Sequence, residues 1–310
     1  MKLDTTSLKL FVRVAETGTI TGAAEAEFIA ASAVSKRLSE LEAHFRTPLL
    51  KRNNRGVELT PAGNALLNLS RGVLHNLEDL GLQMQEYAGG TRGSIRVYAN
   101  MSAITQYLPG ETQSFFALHP DINVHLEEKV SPIITREVMA NGADIGICAM
   151  LPHGYDLAEF PYHTDDLVLV TPLDHPLASR ESIEFRESLD HAYVGLHTSS
   201  AINLELLRAA SLANRPLKLR IQVTSYDALC IMVQAGLGIG VVPRGAIRQY
   251  VGGLNVKVVS IRDAWARRKL CIYVKDIDRL SMAARLFVDH LVDMSAQQQT
   301  QPSPSAMAGS

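Results

Sequence analysis

From Ser94 onwards the chain alternates two kinds of apolar run, and that alternation limits its fold more than any other feature. Short runs rich in β-branched residues read as strands: "SIRVYAN" (94–100), "INVHLEE" (122–128), "ADIGICAM" (143–150), "LVLVTP" (167–172), "IGVVP" (239–243) and "LCIYVK" (270–275). Between them lie segments with helical spacing, such as "YLPGETQSFFALHP" (107–120), "PIITREVMANG" (132–142) and "YDALCIMVQAG" (226–236). Strands joined through helices argue an α/β fold with largely parallel sheets. "GLGIGV" (236–241) imitates a dinucleotide fingerprint. It leaves a helix and enters a strand, however, which is the reverse of the order that aims N–H groups at a pyrophosphate. Gly236 and Gly238 are expected to end a helix instead.

The front of the chain follows another rule. Leu8, Phe11, Val12 and Ala15 repeat at helical spacing up to Gly18, and Thr19 or Thr21 can cap a short helix, "GAAEAEFI". In "SAVSKRLSELEAHF" (32–45), Val34, Leu38, Leu41 and Phe45 form one apolar stripe, while Ser32, Ser35, Lys36 and Ser39 make an opposite face without a carboxylate. Two short helices and a tight turn, the second helix led by Ser, Lys and Arg, form a helix-turn-helix pattern. "LLKRNNRGVELTPAG" follows, with turn formers Asn53, Asn54 and Gly56 between extended stretches, as in a two-stranded wing. Thr60-Pro61 then opens a long helix towards Tyr87. Its residues Ala62, Leu66, Leu69, Val73, Leu77, Leu80, Met84 and Tyr87 alternate spacings of three and four, the seam of a helix that pairs with a partner. "AGGTRG" is a linker, and the Gln/Ser/Pro-rich end (295–310) is expected to be a disordered tail.

Charge narrows the function. The whole chain carries −2, but residues 1–70 hold nine Lys/Arg against seven Asp/Glu, a balance of +2 that leaves −4 for the rest. The cations also cluster, as Lys36-Arg37 and Lys51-Arg52 with Arg55, which suits a phosphate partner. Cys148, Cys230 and Cys271 are far apart in sequence, each inside an apolar run, and no spacing suits a metal; core thiols are expected. There is no signal-peptide core and no run of membrane-spanning length, so a cytoplasmic protein without membrane contact is expected. No nucleophile elbow, metal set or phosphate loop suggests catalysis or a cofactor.

Taken together, "LKLFVRVAETGTITGAAE", "SAVSKRLSELEAHFRTPLLKR", "GVELTPAG", "FFALHPDINVHL", "GADIGI", "HPLA" and "AGLGIGVVP" occur in the order seen in LysR-type transcriptional regulators, and the chain resembles that family to about Met294. The resemblance implies three parts: a winged helix-turn-helix (1–60), a linker and dimerisation helix (61–88), and a periplasmic-binding-protein-like α/β effector domain (94–294). Lobe I of that domain would comprise about 94–162 and 268–294, and lobe II about 163–267. Ala30-Ala31 stand where the family commonly has Ser-Gln, so the usual cap and the amide that can grip adenine are both missing. The expected partners are double-stranded DNA, a small-molecule effector, and further copies of the chain, as a dimer through the linker helix and then a tetramer. DNA contacts are expected from Ser32, Ser35, Lys36 and Arg37, with Arg52 and Arg55 on the wing.

Ligands of two-lobed α/β domains sit in the crevice at the carboxyl ends of strands. Three such ends offer polar groups: Asn100-Met101-Ser102, His197-Thr198-Ser199 with Ser200, and Thr224-Ser225-Tyr226. None of these stretches contains Arg or Lys, so a carboxylate held by backbone N–H groups and hydroxyls is expected, with Met101 and Cys148 against an aromatic or branched body. A solute-binding transport component would have a similar second half, and a redox-sensing regulator is a further alternative. The first is opposed by the helix-turn-helix, the second by the absence of an evident cysteine pair.

Overall fold

A computed structural model describes residues 3–53, 56–86, 93–251 and 253–300. The chain forms two compact units, built principally on residues 1–92 and on residues 93 onwards.

The first unit starts with α1 (Thr5–Thr17), whose Asp4 cap accepts the Ser7 N–H at 2.8 Å and which closes at Gly18 with φ of 70°. Thr19 caps α2 (Ile20–Ala26), accepting from Gly22 N at 3.0 Å. This second helix is shorter than the expected "GAAEAEFI", because the backbone turns through Phe28 at φ of 54°. Next comes α3 (Ala31–Phe45). Its Val34, Leu38 and Leu41 are buried in a core with Phe11, Val14, Ala23 and Leu49. Phe45, expected on that stripe, is the last residue of the helix and is 38% exposed, since the core ends one turn earlier. Glu42 ties the end of α3 to the wing by accepting from Leu49 N at 2.8 Å and Leu50 N at 3.1 Å.

The wing pairs β1 (Leu50–Asn53) with β2 (Gly56–Leu59) in antiparallel register, Asn53 opposite Gly56. Gly56 has φ of 136°, and a Cβ there would lie 2.4 Å from the Gly18 carbonyl, which accepts the Val57 N–H at 2.8 Å. Only glycine fits that approach. Thr60 accepts the Gly63 N–H at 3.0 Å and so caps α4 (Pro61–Glu86). One face of α4 packs on the unit's own core through Ala62, Leu66, Leu67 and Leu74, so Ala62 and Leu66, expected in the seam, are taken up by the protomer itself. Leu69, Val73, Leu77 and Leu80 are exposed.

In the second unit, β3 (Gly93–Ala99) leads through α5 (Met101–Gln106) and α6 (Leu108–Leu118) to β4 (Ile122–Glu128). Then follow α7 (Ser131–Met139), β5 (Ile145–Ala149) and the long β6 (Ala158–Pro172). Beyond it lie β7 (Ser182–Ile183), β8 (Tyr193–Leu196), α8 (Ala201–Leu212), β9 (Leu219–Val223) and α9 (Tyr226–Gln234). The chain closes with β10 (Gly240–Pro243), α10 (Arg244–Val251), β11 (Val256–Ile261), β12 (Arg267–Val274) and α11 (Met282–Thr300).

Two hydrophobic cores define two lobes. Ile95, Val97, Phe115, Ile147, Ile272 and Phe287 fill the first, and Val168, Val170, Tyr193, Val194, Leu229 and Val241 the second. The expected parallel pairing holds for β3 with β4 and β5 and for β8 with β9. It fails at the centre, where β6 runs antiparallel to β12, β10 and β11. The reason is the path of the chain. Strand β6 leaves the first lobe, pairing with β12 from Ala158 to Asp166, and enters the second, pairing with β10 and β11 from Leu167; β12 returns beside it, so the two must run in opposite directions. The end of the chain also departs from expectation: residues 295–300 continue α11, with Ser295 buried and its hydroxyl donating to Val292 O at 2.8 Å. Ala and Gln sustain a helix well once its core-facing turns are docked.

Candidate nucleic-acid interface and ligand cavity

Helix α3 begins at Ala30 with an extended backbone and no side-chain cap, as an alanine cannot supply one. Ala30, Ala31, Ser32, Ala33, Lys36 and Ser39 are exposed around its first turns, and Ser35 is half-buried. Lys36 has no ion pair among the described residues, leaving its charge for an outside partner. Arg37 is engaged otherwise. Its Nη1 lies 3.4 Å from the Asp4 carboxylate and 3.2 Å from Ser7 Oγ, so it pins α3 to the start of α1 rather than standing beside Lys36 as a free cation. The Ser7 backbone N–H, the Ser7 hydroxyl and Arg37 together hold the Asp4 carboxyl below its ordinary range. Arg55 lies outside the described residues, as does the side chain of Arg52.

The second unit holds a cavity of about 350 Å³ between its lobes. Four helices start at its wall: α5 at Met101, α7 at Ser131, α8 at Ala201 and α9 at Tyr226. Caps take some of the first-turn donors. Asn100 Oδ1 accepts from Ala103 N at 2.9 Å, Ser200 Oγ from Asn203 N at 3.2 Å, and Ser225 Oγ from Ala228 N at 3.4 Å. The N–H groups of Met101 and Ser102 have no partner among the described residues. Of the residues expected at the site, Asn100, Met101, Ser102, His197, Ser199, Thr224 and Tyr226 line this cavity.

Two expected residues do not. Thr198 is exposed and lies off the wall, because the 197–199 turn presents its neighbours instead. Cys148 is fully buried in a separate cluster with Ile134, Cys271 and Tyr273. Its side chain is enclosed by that cluster and does not reach the cavity wall. Cys148 and Cys271, far apart in sequence, are direct cross-strand neighbours on β5 and β12. Burial pushes the Cys148 thiol up to about 12, which opposes the thiolate that redox sensing requires.

The expectation of neutral donors alone is also overturned. Arg268, from β12, lines the cavity, and so do Glu128 and Lys129 from the end of β4 and the turn after it. Arg268 is 8% exposed. It donates Nε to one oxygen of Asp165 at 2.8 Å and Nη2 to the other, and Nη2 also donates to Ser102 Oγ at 3.0 Å. Ser102 Oγ lies 2.9 Å from the Tyr226 hydroxyl, whose pKa burial raises to about 12, so Tyr226 stays neutral. Gln106 Nε2 donates to Asp165 at 3.3 Å. The network thus joins Ser102 of the first lobe and Tyr226 of the second to Asp165 and Arg268 on the two crossing strands. Strand periodicity carried a signal for it: Arg267 and Lys269 point outwards, and Arg268 shares the buried side with Leu270 and Ile272.

Comparison with known proteins agrees with this architecture. Residues 5–64 match the family model described as bacterial regulatory helix-turn-helix protein, lysR family, and residues 88–296 match the LysR substrate binding domain. The uncharacterized HTH-type transcriptional regulator YbhD of Escherichia coli is 27% identical over 296 residues, covering 95% of this chain and 92% of that protein. Full-length CbnR complexed with its target DNA superposes with a TM-score of 0.68 at 20% identity, covering 94% of this chain and all of that one. The effector binding domain of QuiR in complex with shikimate gives 0.60 at 22% identity, covering 67% of this chain and 99% of that domain.

Proposed function

The chain belongs to the LysR family of bacterial transcriptional regulators, and from that premise we propose that it binds a specific double-stranded DNA site through α3 and the wing, under the control of a small organic acid held between the lobes of its second unit. The convergence of four helix starts and a buried guanidinium on one cavity carries the effector part of this reading. Helix N-termini put partial positive charge and N–H donors at the wall, which favours an anion. Most of the rest of the wall is apolar, from Met101, Val130, Ile133, Leu196 and Ile202, and suits a carbon body on the ligand.

The DNA part rests on α3. Ser32, Ser35 and Lys36 supply donors without a carboxylate to repel phosphate, and Arg52 and Arg55 on the wing reach flanking phosphates. Arg37 acts one step back, by holding α3 against α1. The complex of CbnR with DNA and that of QuiR with shikimate support the two halves of the reading. Acting on DNA places the protein in the cytoplasm, and no helix among the described residues is long and apolar enough to cross a membrane. The helix-turn-helix match sets aside a solute-binding transport component, and the burial of Cys148 weighs against a redox sensor.

Selection of bound sequences from a random duplex library by the full chain tests the DNA reading. Salt titration on a selected site then tests the wing: Arg52→Ala with Arg55→Ala should flatten the slope of log K against log salt by about 0.9 per lost phosphate contact. An unchanged slope removes the wing from the interface.

A further inference from the structure

We propose that Arg268 is the charge anchor of the interlobe cavity and that its pairing with Asp165 restricts the ligand to acids with a single carboxylate beside an apolar body. The proposal deepens the effector reading above and rests on it. A guanidinium carries five N–H donors in a fixed fork. Nε and Nη2 of Arg268 are engaged by Asp165 and Ser102, but Nη1 has no partner among the described residues. The side chain is 8% exposed and belongs to the cavity wall, and the two donors of Nη1 are left without a protein partner there. A carboxylate seated in the cavity meets that need, with Ser102 beside it.

Charge decides how many carboxylates fit. The charged side chains of the wall are Glu128, Lys129 and Arg268. Lys129 lies 2.8 Å from the Glu127 carboxylate, and Asp165 takes two of the Arg268 nitrogens. Each cation at the cavity therefore already has a carboxylate, and Glu128 adds a further negative charge. Nη1 can hold one more anionic group, but no Lys or Arg of the wall is left to neutralise a second, and His197 already accepts the Ser199 N–H on Nδ1 at 3.3 Å. A second carboxylate would be desolvated without a partner, which is costly.

Asp165 competes with the ligand for the same cation, and this gives a test that a purely structural ion pair would not pass. The probes are monocarboxylates (benzoate, 4-hydroxybenzoate, 3-methylbutanoate, shikimate), the dicarboxylates phthalate and succinate, and neutral benzamide. Each is titrated against the full chain by thermal shift and then calorimetry. A monocarboxylate should bind, with the dicarboxylates and benzamide at least tenfold weaker. Arg268→Gln should weaken the bound acid by about 30- to 100-fold, the loss of one or two hydrogen bonds to a charged group. Asp165→Asn should tighten it by about tenfold and admit phthalate or succinate. Circular dichroism and binding to a selected duplex confirm that each variant folds. Should Arg268→Gln not fold, Arg268→Lys, which keeps the charge and loses the fork, takes its place with an expected loss of about tenfold. Equal affinity in the Arg268 variant, weaker binding in Asp165→Asn, or a preference for dicarboxylates or benzamide overturns the anchor and leaves the effector reading standing. Failure of every acid to bind the unaltered chain overturns the effector reading together with the anchor.

Discussion

Ser102 shows how much a single hydroxyl carries at the cavity. It accepts from Arg268 Nη2 at 3.0 Å, shares a hydrogen with Tyr226 at 2.9 Å, and is 3% exposed. Ser102→Ala therefore leaves two buried polar groups short of a partner as well as removing a ligand contact. Losing a partner for a buried group costs about 1–3 kcal/mol, so the variant should unfold at a lower denaturant concentration even without effector. Affinity for a bound acid should fall by about tenfold to a hundredfold in addition. Thr224 is exposed at the rim, and Thr224→Ala should alter affinity without altering stability. Chemical denaturation of both variants, with and without a bound acid, checks this; an unchanged midpoint for Ser102→Ala refutes the network.

Among the elements, α4 has two different apolar faces. Leu66, Leu67 and Leu74 pack on the core of their own unit, whereas Leu69, Val73, Leu77 and Leu80 are 69%, 45%, 46% and 60% exposed. A stripe of that length at coiled-coil spacing suits a second copy of the chain. Val73→Asp should then separate the assembly without unfolding the protomer, because the carboxylate reaches water once the partner leaves. Leu66→Asp should unfold the first unit, because its carboxylate is trapped against the core. Sedimentation with circular dichroism on both variants distinguishes the two faces. A Val73→Asp protein that sediments like the unaltered chain sinks the seam.

Across the whole molecule, acid should be the destabilising direction. Lys9 at 2.8 Å and Arg13 at 3.0 Å hold the Glu27 carboxyl below its ordinary range, and Asp4 is likewise lowered. A carboxyl with a lower pKa in the folded state binds fewer protons there than in the unfolded chain. Its stabilisation is therefore present above the ordinary carboxylate pKa and is lost as pH falls through the folded value. Both groups are near the surface, so each contribution is small. Melting temperature should be level from pH 7 to about 5 and fall below about 4, less steeply in Glu27→Gln. An identical acid slope in that variant refutes the assignment.

What the sequence determined by itself was whatever depends on neighbours a few residues apart. The stripe of Val34, Leu38 and Leu41, the Thr19 and Thr60 caps, the turn at Gly18 and the two strands of the wing all follow from local period and local hydrogen bonding. The same locality explains why Asn100, Ser102, His197, Thr224 and Tyr226 were legible as site residues: each sits where a strand passes into a helix or loop, and those junctions gather at one edge of the fold. Tertiary structure alone decided what crosses between distant segments. Arg268 meets Ser102 across 166 residues of chain, Cys148 meets Cys271 across two strands, and Arg37 turns back to Asp4. Period assigns a residue to a face of its own strand or helix, but not the partner that will lie opposite. That choice was made by strand register, which placed a guanidinium in an otherwise apolar row and with it the charge at the cavity wall.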